Sequence, residues 1–160
     1  MIFNKLYTLI FLFFVSLVVQ AQPVTSTTYE VKLETAVNAA ENNDYLTAIE
    51  WFEEAYKESK DPYLQISIGD MYMLLRDYAK AEKIYERVIK RDKRDEFFDI
   101  KLDYAKALKA QGKYKVALDE FNYFITTTEN DSLRNDAKIE LQGIMLMEKY
   151  PENIEASVSF

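Results

Sequence analysis

The chain has 160 residues and a formal net charge of −7, with 20 basic and 27 acidic side chains. It contains no Cys and no His, which excludes disulfides, thiolate or imidazole metal sites, and Cys or His nucleophiles. The acidic balance argues against a nucleic-acid partner, because phosphate binding needs a basic surface. Twelve Tyr and ten Phe beside three Gly and three Pro predict one helical domain with a substantial core.

Residues 1–21 have the pattern of a secretory signal peptide. Lys5 precedes an almost unbroken apolar run, Leu6–Val19, and small or permissive residues end it at Val19-Gln20-Ala21. The run is shorter than the roughly 20 residues that a membrane span needs, so cleavage after Ala21 is favoured over an uncleaved anchor. Because no Cys follows the run, lipoprotein attachment is excluded. We therefore expect an exported chain, periplasmic or associated with the outer membrane, that begins at Gln22.

A polar leader at residues 22–28 precedes a helical pattern that occurs three times. The central copy reads Pro62, then Ile68-Gly69-x-x-Tyr72, then Asp77-Tyr78-x-x-Ala81-x-x-x-Tyr85. Gly69 and Ala81 are small, which lets two antiparallel helices touch, while the Tyr rings fill the gaps around that contact. Pro62 suits a first helical turn, where its missing N–H would have had no partner. The stretch predicts a helical hairpin.

One alanine marks the same place in each copy: Ala48, Ala81 and Ala117. They are 33 and 36 residues apart, and the charged run Lys90–Glu96 accounts for the longer interval. The spacing and the residue types resemble the tetratricopeptide repeat (TPR), a helix–turn–helix unit of about 34 residues. The resemblance implies an all-α TPR solenoid of three helical hairpins, with repeats at about 29–61, 62–97 and 98–130.

Each hairpin has one residue at the turn between its two helices: Asn43 in the first, Arg76 in the second and Gly112 in the third. A left-handed backbone there suits Gly112 best and Arg76 least, because only glycine lacks a Cβ.

A seventh helix is predicted after the third hairpin. Ser132 can cap it, and it runs to about Lys149, which ends a TPR domain at 29–150. We interpret residues 132–149 as a capping helix that covers the apolar edge of the last hairpin, as solenoid ends require. Gly143 keeps a degenerate fourth repeat open as the alternative.

Residues 151–160 form an extended tail in which apolar and polar side chains alternate as in a β-strand. The tail is either frayed or the start of a β domain. A signal peptide, a short TPR array and a β segment resemble the N-terminal TPR region of OmpA-family multidomain bacterial envelope proteins. That resemblance implies association with the outer membrane or peptidoglycan only through a domain beyond residue 160.

In TPR proteins the first helix of each hairpin lines a concave groove. The resemblance carries this candidate partner-binding surface to Leu33, Val37, Tyr63, Ile66, Asp70, Met73, Leu102, Lys106 and Lys109, with Ala40 and Asp99 beside them. The family's carboxylate-clamp groove uses Lys and Asn, whereas Val37 and Asp70 stand here where Asn would be. Chaperone-type binding of an acidic chain terminus is therefore not indicated. Ile66 and Met73 would supply apolar contact to a partner segment, and Lys106 and Lys109 would supply charge attraction. The alternative is that these residues pack on their own neighbours or on the seventh helix.

Other charged stretches have simpler interpretations. The run Lys90–Asp95 is typical of a solvated loop, with a docking patch as the alternative. Glu129-Asn130-Asp131 lacks an EF-hand frame and is typical of turn and cap residues. Carboxylates at Asp92, Asp95, Glu96 and Asp99 would suit acid/base chemistry on sugars, but no sequence feature builds a pocket around them.

The sequence thus predicts a non-catalytic protein–protein interaction scaffold of the bacterial cell envelope, without a cofactor or a metal. One alternative is a structural spacer or assembly module of a larger OmpA-like or secretion- or gliding-associated protein. A third is a cell-wall-modifying accessory enzyme.

Overall fold

A computed structural model describes residues 28–149, which contain seven α-helices and no β-strand. The helices are α1 (Tyr29–Glu41), α2 (Tyr45–Ser59), α3 (Pro62–Leu74), α4 (Tyr78–Arg91), α5 (Ile100–Ala110), α6 (Tyr114–Thr127) and α7 (Asp131–Lys149). Each helix packs mainly against the next one in the chain, and α7 also contacts α5. The all-α solenoid of three hairpins and a C-terminal helix is confirmed. The predicted signal peptide, its cleavage site and the tail 151–160 lie outside the described residues.

The hairpin turns follow one local rule. Asn43, Arg76 and Gly112 all have left-handed backbones, with φ of 61°, 58° and 74°, as their shared position predicts. The next residue caps the second helix in two hairpins: the carboxylates of Asp44 and Asp77 each accept a backbone N–H at 3.3 Å. Lys113 occupies the same place in the third hairpin, and its side chain makes no capping hydrogen bond.

The small residues of the repeat lie where helices touch. Ala48, Ala81 and Ala117 are all 0% exposed. A Cβ added to Gly69 would lie 2.5 Å from Cε1 of Tyr85, closer than any real Cβ contact. The Tyr85 ring therefore occupies the space that a side chain at position 69 would need, which explains why the central hairpin has glycine there.

The last helix begins differently from the prediction. Asn130, not Ser132, is the capping residue, because its Oδ1 accepts the backbone N–H groups of Ser132 at 3.1 Å and Leu133 at 3.3 Å. Both residue types can cap a helix, and Asn130 lies one residue before the first helical turn. Ala137 and Ile144 of α7 are 0% exposed and belong to the core formed with α5 and α6. Helix α7 thus covers the apolar edge of the third hairpin. Between residues 28 and 149, no helix combines the length and the apolar character that a membrane crossing requires.

Candidate functional site

Helices α1 and α3 expose apolar side chains on the face that was predicted to line the concave groove. Residues seven and eleven apart in a helix point in nearly the same direction, so Tyr63, Asp70 and Leu74 form one stripe on α3. Tyr63 is 64% exposed and Leu74 is 55% exposed. Val37 occupies the equivalent position to Asp70 on α1 and is 40% exposed. Sequence reasoning missed Leu74, although its spacing of eleven residues from Tyr63 places it on the stripe.

The other apolar candidates form the side of this groove. Ile66 is partly buried. Leu33 is partly buried and packs against the core of the first hairpin, and Met73 packs against the cluster of Ala81, Tyr85 and Ala107. Leu33 and Met73 therefore connect this surface to the hydrophobic core, and the exposed stripe of Tyr63 and Leu74 lies beside them.

Asp70 is the charged group at the centre of that surface. Its Oδ1 accepts a hydrogen bond of 2.7 Å from the hydroxyl of Tyr85, which is 1% exposed. Burial raises the pKa of the Asp70 carboxyl, the hydrogen bond from Tyr85 lowers it in part, and the charge of Asp103 raises it further. Burial, and then the charge of Asp70, raise the pKa of Tyr85, so this phenol stays a donor. The sequence pattern did not predict this hydrogen bond between Tyr85 and Asp70.

The two lysines of the predicted groove are already paired. Lys106 Nζ lies 3.4 Å from Oδ1 of Asp103 on the same helix. Lys109 Nζ lies 2.6 Å from Oε2 of Glu140 on α7. Both lysines therefore already have an acidic partner within the chain, and their predicted attraction for a partner segment stays a prediction. Glu140 is 31 residues from Lys109 in the chain, a separation at which the sequence gives no pairing signal.

Leu102 requires a second correction. It is 1% exposed and lies in the core that α5, α6 and α7 share. The repeat pattern places it at the same position as Leu33 and Ile66, but α7 covers this side of α5. Leu102 is therefore a core residue and not a groove residue.

Three exposed carboxylates lie along or beside this face. Glu30 and Glu41 lie on the α1 stripe and Asp99 precedes α5, and all three are exposed. Within residues 28–149, neither they nor Asp70 form an ion pair with a basic side chain. The surface is therefore an apolar stripe flanked by carboxylates without cationic partners.

Comparison with known proteins shows which fold this surface belongs to. No protein-family description matches the sequence, and no curated protein matches it. Solved structures do: the TPR domain of Arabidopsis OM64 superposes with a TM-score of 0.60 at 18% identity, covering 72% of this chain and 94% of that one. The chain has the fold of a TPR domain.

Two further TPR domains of the same fold have been solved with peptides. The first TPR of Spaghetti (RPAP3), bound to the HSP90 peptide SRMEEVD, has a TM-score of 0.60 and 18% identity, and the match covers 76% of this chain and 97% of that chain. The second TPR domain of human RPAP3, in complex with the HSP70 peptide SGPTIEEVD, has a TM-score of 0.60 and 17% identity, with 74% and 98% coverage. At these identities the similarity establishes the fold alone.

Two of the four carboxylates considered for acid/base chemistry, Asp92 and Glu96, interact with other groups of the chain. Asp92 Oδ2 accepts the N–H of Phe97 at 2.7 Å, and Oδ1 accepts that of Arg94 at 3.1 Å. Burial raises the pKa of Asp92, but these backbone hydrogen bonds outweigh it and lower the pKa overall, opposite to what a general acid needs. Glu96 lies 3.5 Å from Arg94. Among the described residues, no group of three acidic side chains is arranged to hold a metal ion.

Proposed function

We propose that this TPR domain is a non-catalytic protein–protein interaction scaffold that holds a partner segment in the concave groove of α1 and α3. The observation that carries the proposal is the set of exposed apolar side chains Val37, Tyr63 and Leu74, together with Asp70, whose carboxylate has no cationic partner among the described residues. Such a stripe on a concave surface suits an apolar segment of a partner. The two RPAP3 domains, which share the fold and were solved with peptides, support a groove of this kind.

The charge of the groove defines the chemistry of the segment. Asp70 has no cationic partner, and the two groove lysines are paired with Asp103 and Glu140. A segment with apolar side chains and one basic side chain opposite Asp70 fits this surface, whereas an acidic terminus is repelled. The peptides bound to the RPAP3 domains contain Glu-Glu-Val-Asp, so the proposed partner differs from theirs in charge.

We propose further that the partner is a protein of the bacterial cell envelope. The support is the sequence of residues 1–21, a basic start followed by a short apolar run and the Val19-Gln20-Ala21 ending. Mass spectrometry of the chain secreted by a bacterial host tests export, and the expected N-terminus is Gln22. Retention of Met1 in the membrane fraction would contradict it.

A second candidate function is that of an assembly module within a larger envelope protein of the OmpA-like or secretion- or gliding-associated kind. The observation that favours it is one face of α7, where Ile139 and Leu146, seven residues apart, are 66% and 59% exposed. Such a face suits further packing at the end of a solenoid. Replacing Ile139 and Leu146 by Ser tests this role: reduced incorporation into the larger complex supports it, and unchanged incorporation contradicts it.

The groove is tested by titration with a labelled peptide in which one central Arg is flanked by Leu residues. Tyr63→Ala with Leu74→Ala should weaken binding by about tenfold, mainly through faster dissociation. Asp70→Asn should weaken it several-fold more than Asp119→Asn, a matched control that removes the same charge from an exposed site on α6. Equal affinities for Asp70→Asn and Asp119→Asn would show that only net charge attracts the peptide, and the groove proposal would fail.

A further inference from the structure

A second cleft lies beside the groove residue Tyr63 but has a separate lining. It is formed where the α2–α3 turn approaches the connection between α4 and α5, and its volume is about 430 Å³. That volume lies within the range of about 300–1,000 Å³ that ligand clefts occupy. The cleft shares none of its lining residues with the stripe Tyr63, Asp70 and Leu74.

The cleft concentrates positive charge in an acidic protein. Its basic lining residues are Lys60, Arg91, Lys93 and Arg94. Within residues 28–149, the first three form no ion pair, and Arg94 has only an exposed contact of 3.5 Å with Glu96. At physiological salt, charges beyond about 8 Å are screened, so these local cations outweigh the negative net charge of the chain for a ligand in the cleft.

Two of the four cations, Lys60 and Arg91, contact Tyr56. Lys60 Nζ lies 5.2 Å from the centroid of the Tyr56 ring, and Arg91 Nη1 donates to the Tyr56 hydroxyl at 3.3 Å. Phe97 also lines the cleft and meets Tyr63 edge-on at a centroid distance of 5.1 Å. The backbone hydrogen bonds to Asp92 order the connection that carries Lys93. The cleft is therefore preformed, with cationic heads beside ring surfaces.

A buried amide adds a polar group at the cleft. Gln65 is 7% exposed and borders the cleft. No hydrogen bond joins its side chain to another residue in the described part of the chain, and no fully enclosed side-chain nitrogen or oxygen there lacks a partner. Gln65 borders both this cleft and a neighbouring depression lined by Ile68 and Arg87.

The cleft also carries a feature that selects among anions. Asp92 and Glu96 line it and place two negative charges near the four cations. A phosphate dianion meets more repulsion from these carboxylates than a single carboxylate does. Arg side chains bind carboxylates well, and the rings of Tyr56 and Phe97 offer contact to a neighbouring apolar side chain.

We propose that this cleft is a second binding site, which takes an acidic peptide segment that presents carboxylates next to an apolar side chain. The concave groove favours a basic segment and the cleft an acidic one, so the two sites bind different sequences. The scaffold thereby connects two partners.

A labelled peptide that alternates Glu with Phe and Leu tests the site by fluorescence anisotropy. We expect saturable binding, and a peptide with Gln in place of Glu should not bind. Arg91→Glu with Lys93→Glu should weaken binding at least about tenfold. The matched control is Lys83→Glu with Lys115→Glu, which changes the net charge equally at exposed residues outside the cleft and should change affinity less than about twofold.

Two further arms distinguish the cleft from the groove and from a general affinity for anions. Val37→Ala with Leu74→Ala alters only the groove and should leave binding of the acidic peptide unchanged. Inorganic phosphate and phosphatidylglycerol vesicles should compete weakly. Equal loss in the cleft variant and its control, or displacement of the peptide by equimolar phosphate, would overturn the proposal. Both cleft substitutions are at exposed side chains, so the helical content of the variants should be native.

Discussion

The concave face differs between its two halves, although the same repeat pattern builds both. On α1 and α3, Val37 and Tyr63 are exposed and Asp70 has no cationic partner. On α5, Leu102 is 1% exposed and Lys109 is bound to Glu140. The difference accompanies α7, which packs against α6 and also contacts α5 directly, whereas α3 packs mainly against its chain neighbours α2 and α4.

This difference shows what a repeat position does and does not determine. Helical geometry fixes the direction in which a side chain leaves its helix, so Leu33, Ile66 and Leu102 point alike. Their exposure depends on what packs next to the helix, and only Leu102 has α7 beside it. A candidate groove in a short solenoid therefore extends only as far as the helices that the capping helix leaves open.

The largest expected effect concerns the covered half. Ile144 of α7 is 0% exposed in the core with Leu102, so Ile144→Ala should lower the free energy of unfolding by about 2–5 kcal/mol. Ile139→Ala on the same helix removes an exposed side chain and should stay within about 0.5 kcal/mol. Urea denaturation followed by circular dichroism measures both. Equal, small effects would mean that α7 is not docked on α5 and α6.

A smaller effect is expected in the open half. Ala81 is 0% exposed at the contact between α3 and α4, so Ala81→Leu should overpack this contact and cost about 1–3 kcal/mol. Lys83→Leu, at an exposed position two residues later, should change stability by less than about 0.5 kcal/mol. Thermal unfolding of the two variants compares them. An unaltered midpoint for Ala81→Leu would show that the helices of the central hairpin are not in close contact.

Local features of the fold were predictable from the sequence, because each has a short-range signal. The spacing of Ala48, Ala81 and Ala117 marks the helix contacts, and the turn residues that follow the first helices adopt the left-handed backbone that their position requires. The same periodicity predicted the exposed side chains Val37 and Tyr63, and their role in binding a partner stays a prediction.

The features that the sequence did not predict depend on contacts between residues far apart in the chain, or on a choice between two residues that suit the same role. The burial of Leu102 and the Lys109–Glu140 ion pair depend on how α7 docks, which no local pattern encodes. Both Asn130 and Ser132 are residue types that can cap a helix, and Asn130 is the one that caps α7. The Tyr85–Asp70 hydrogen bond requires two helices in a particular rotation.

The smallest expected effect is a pH dependence that belongs to the open half. The folded chain holds the Asp70 proton more strongly than the unfolded chain, because burial raises the pKa of this carboxyl. Its contribution to stability is therefore present below the ordinary Asp pKa of about 3.9 and is lost as the pH rises through the raised folded value. Asp70→Asn cannot ionise and retains an acceptor for Tyr85.

We expect Asp70→Asn to be more stable than the native chain near neutral pH, with the difference shrinking as the pH falls through the raised pKa of the folded state and no longer changing below about 3.9. Asp119→Asn serves as the control for a change of net charge. Denaturation at a series of pH values measures the difference. A gap between Asp70→Asn and the native chain that stays constant with pH would show that Asp70 ionises in the folded state as it does in the unfolded one.

Thiol labelling tests most directly whether the groove is open on α1 and closed on α5. The native chain contains no Cys, so Leu33→Cys and Leu102→Cys each carry one reporter at the same repeat position, and circular dichroism first establishes that both variants fold. We predict that the thiol at position 33 reacts without the opening of a neighbouring helix, because this side chain is only partly buried. The thiol at position 102 should react more slowly by a factor on the order of a hundred, because α7 must open first. Equal labelling rates at the two positions would contradict the division of the concave face into an open and a covered half.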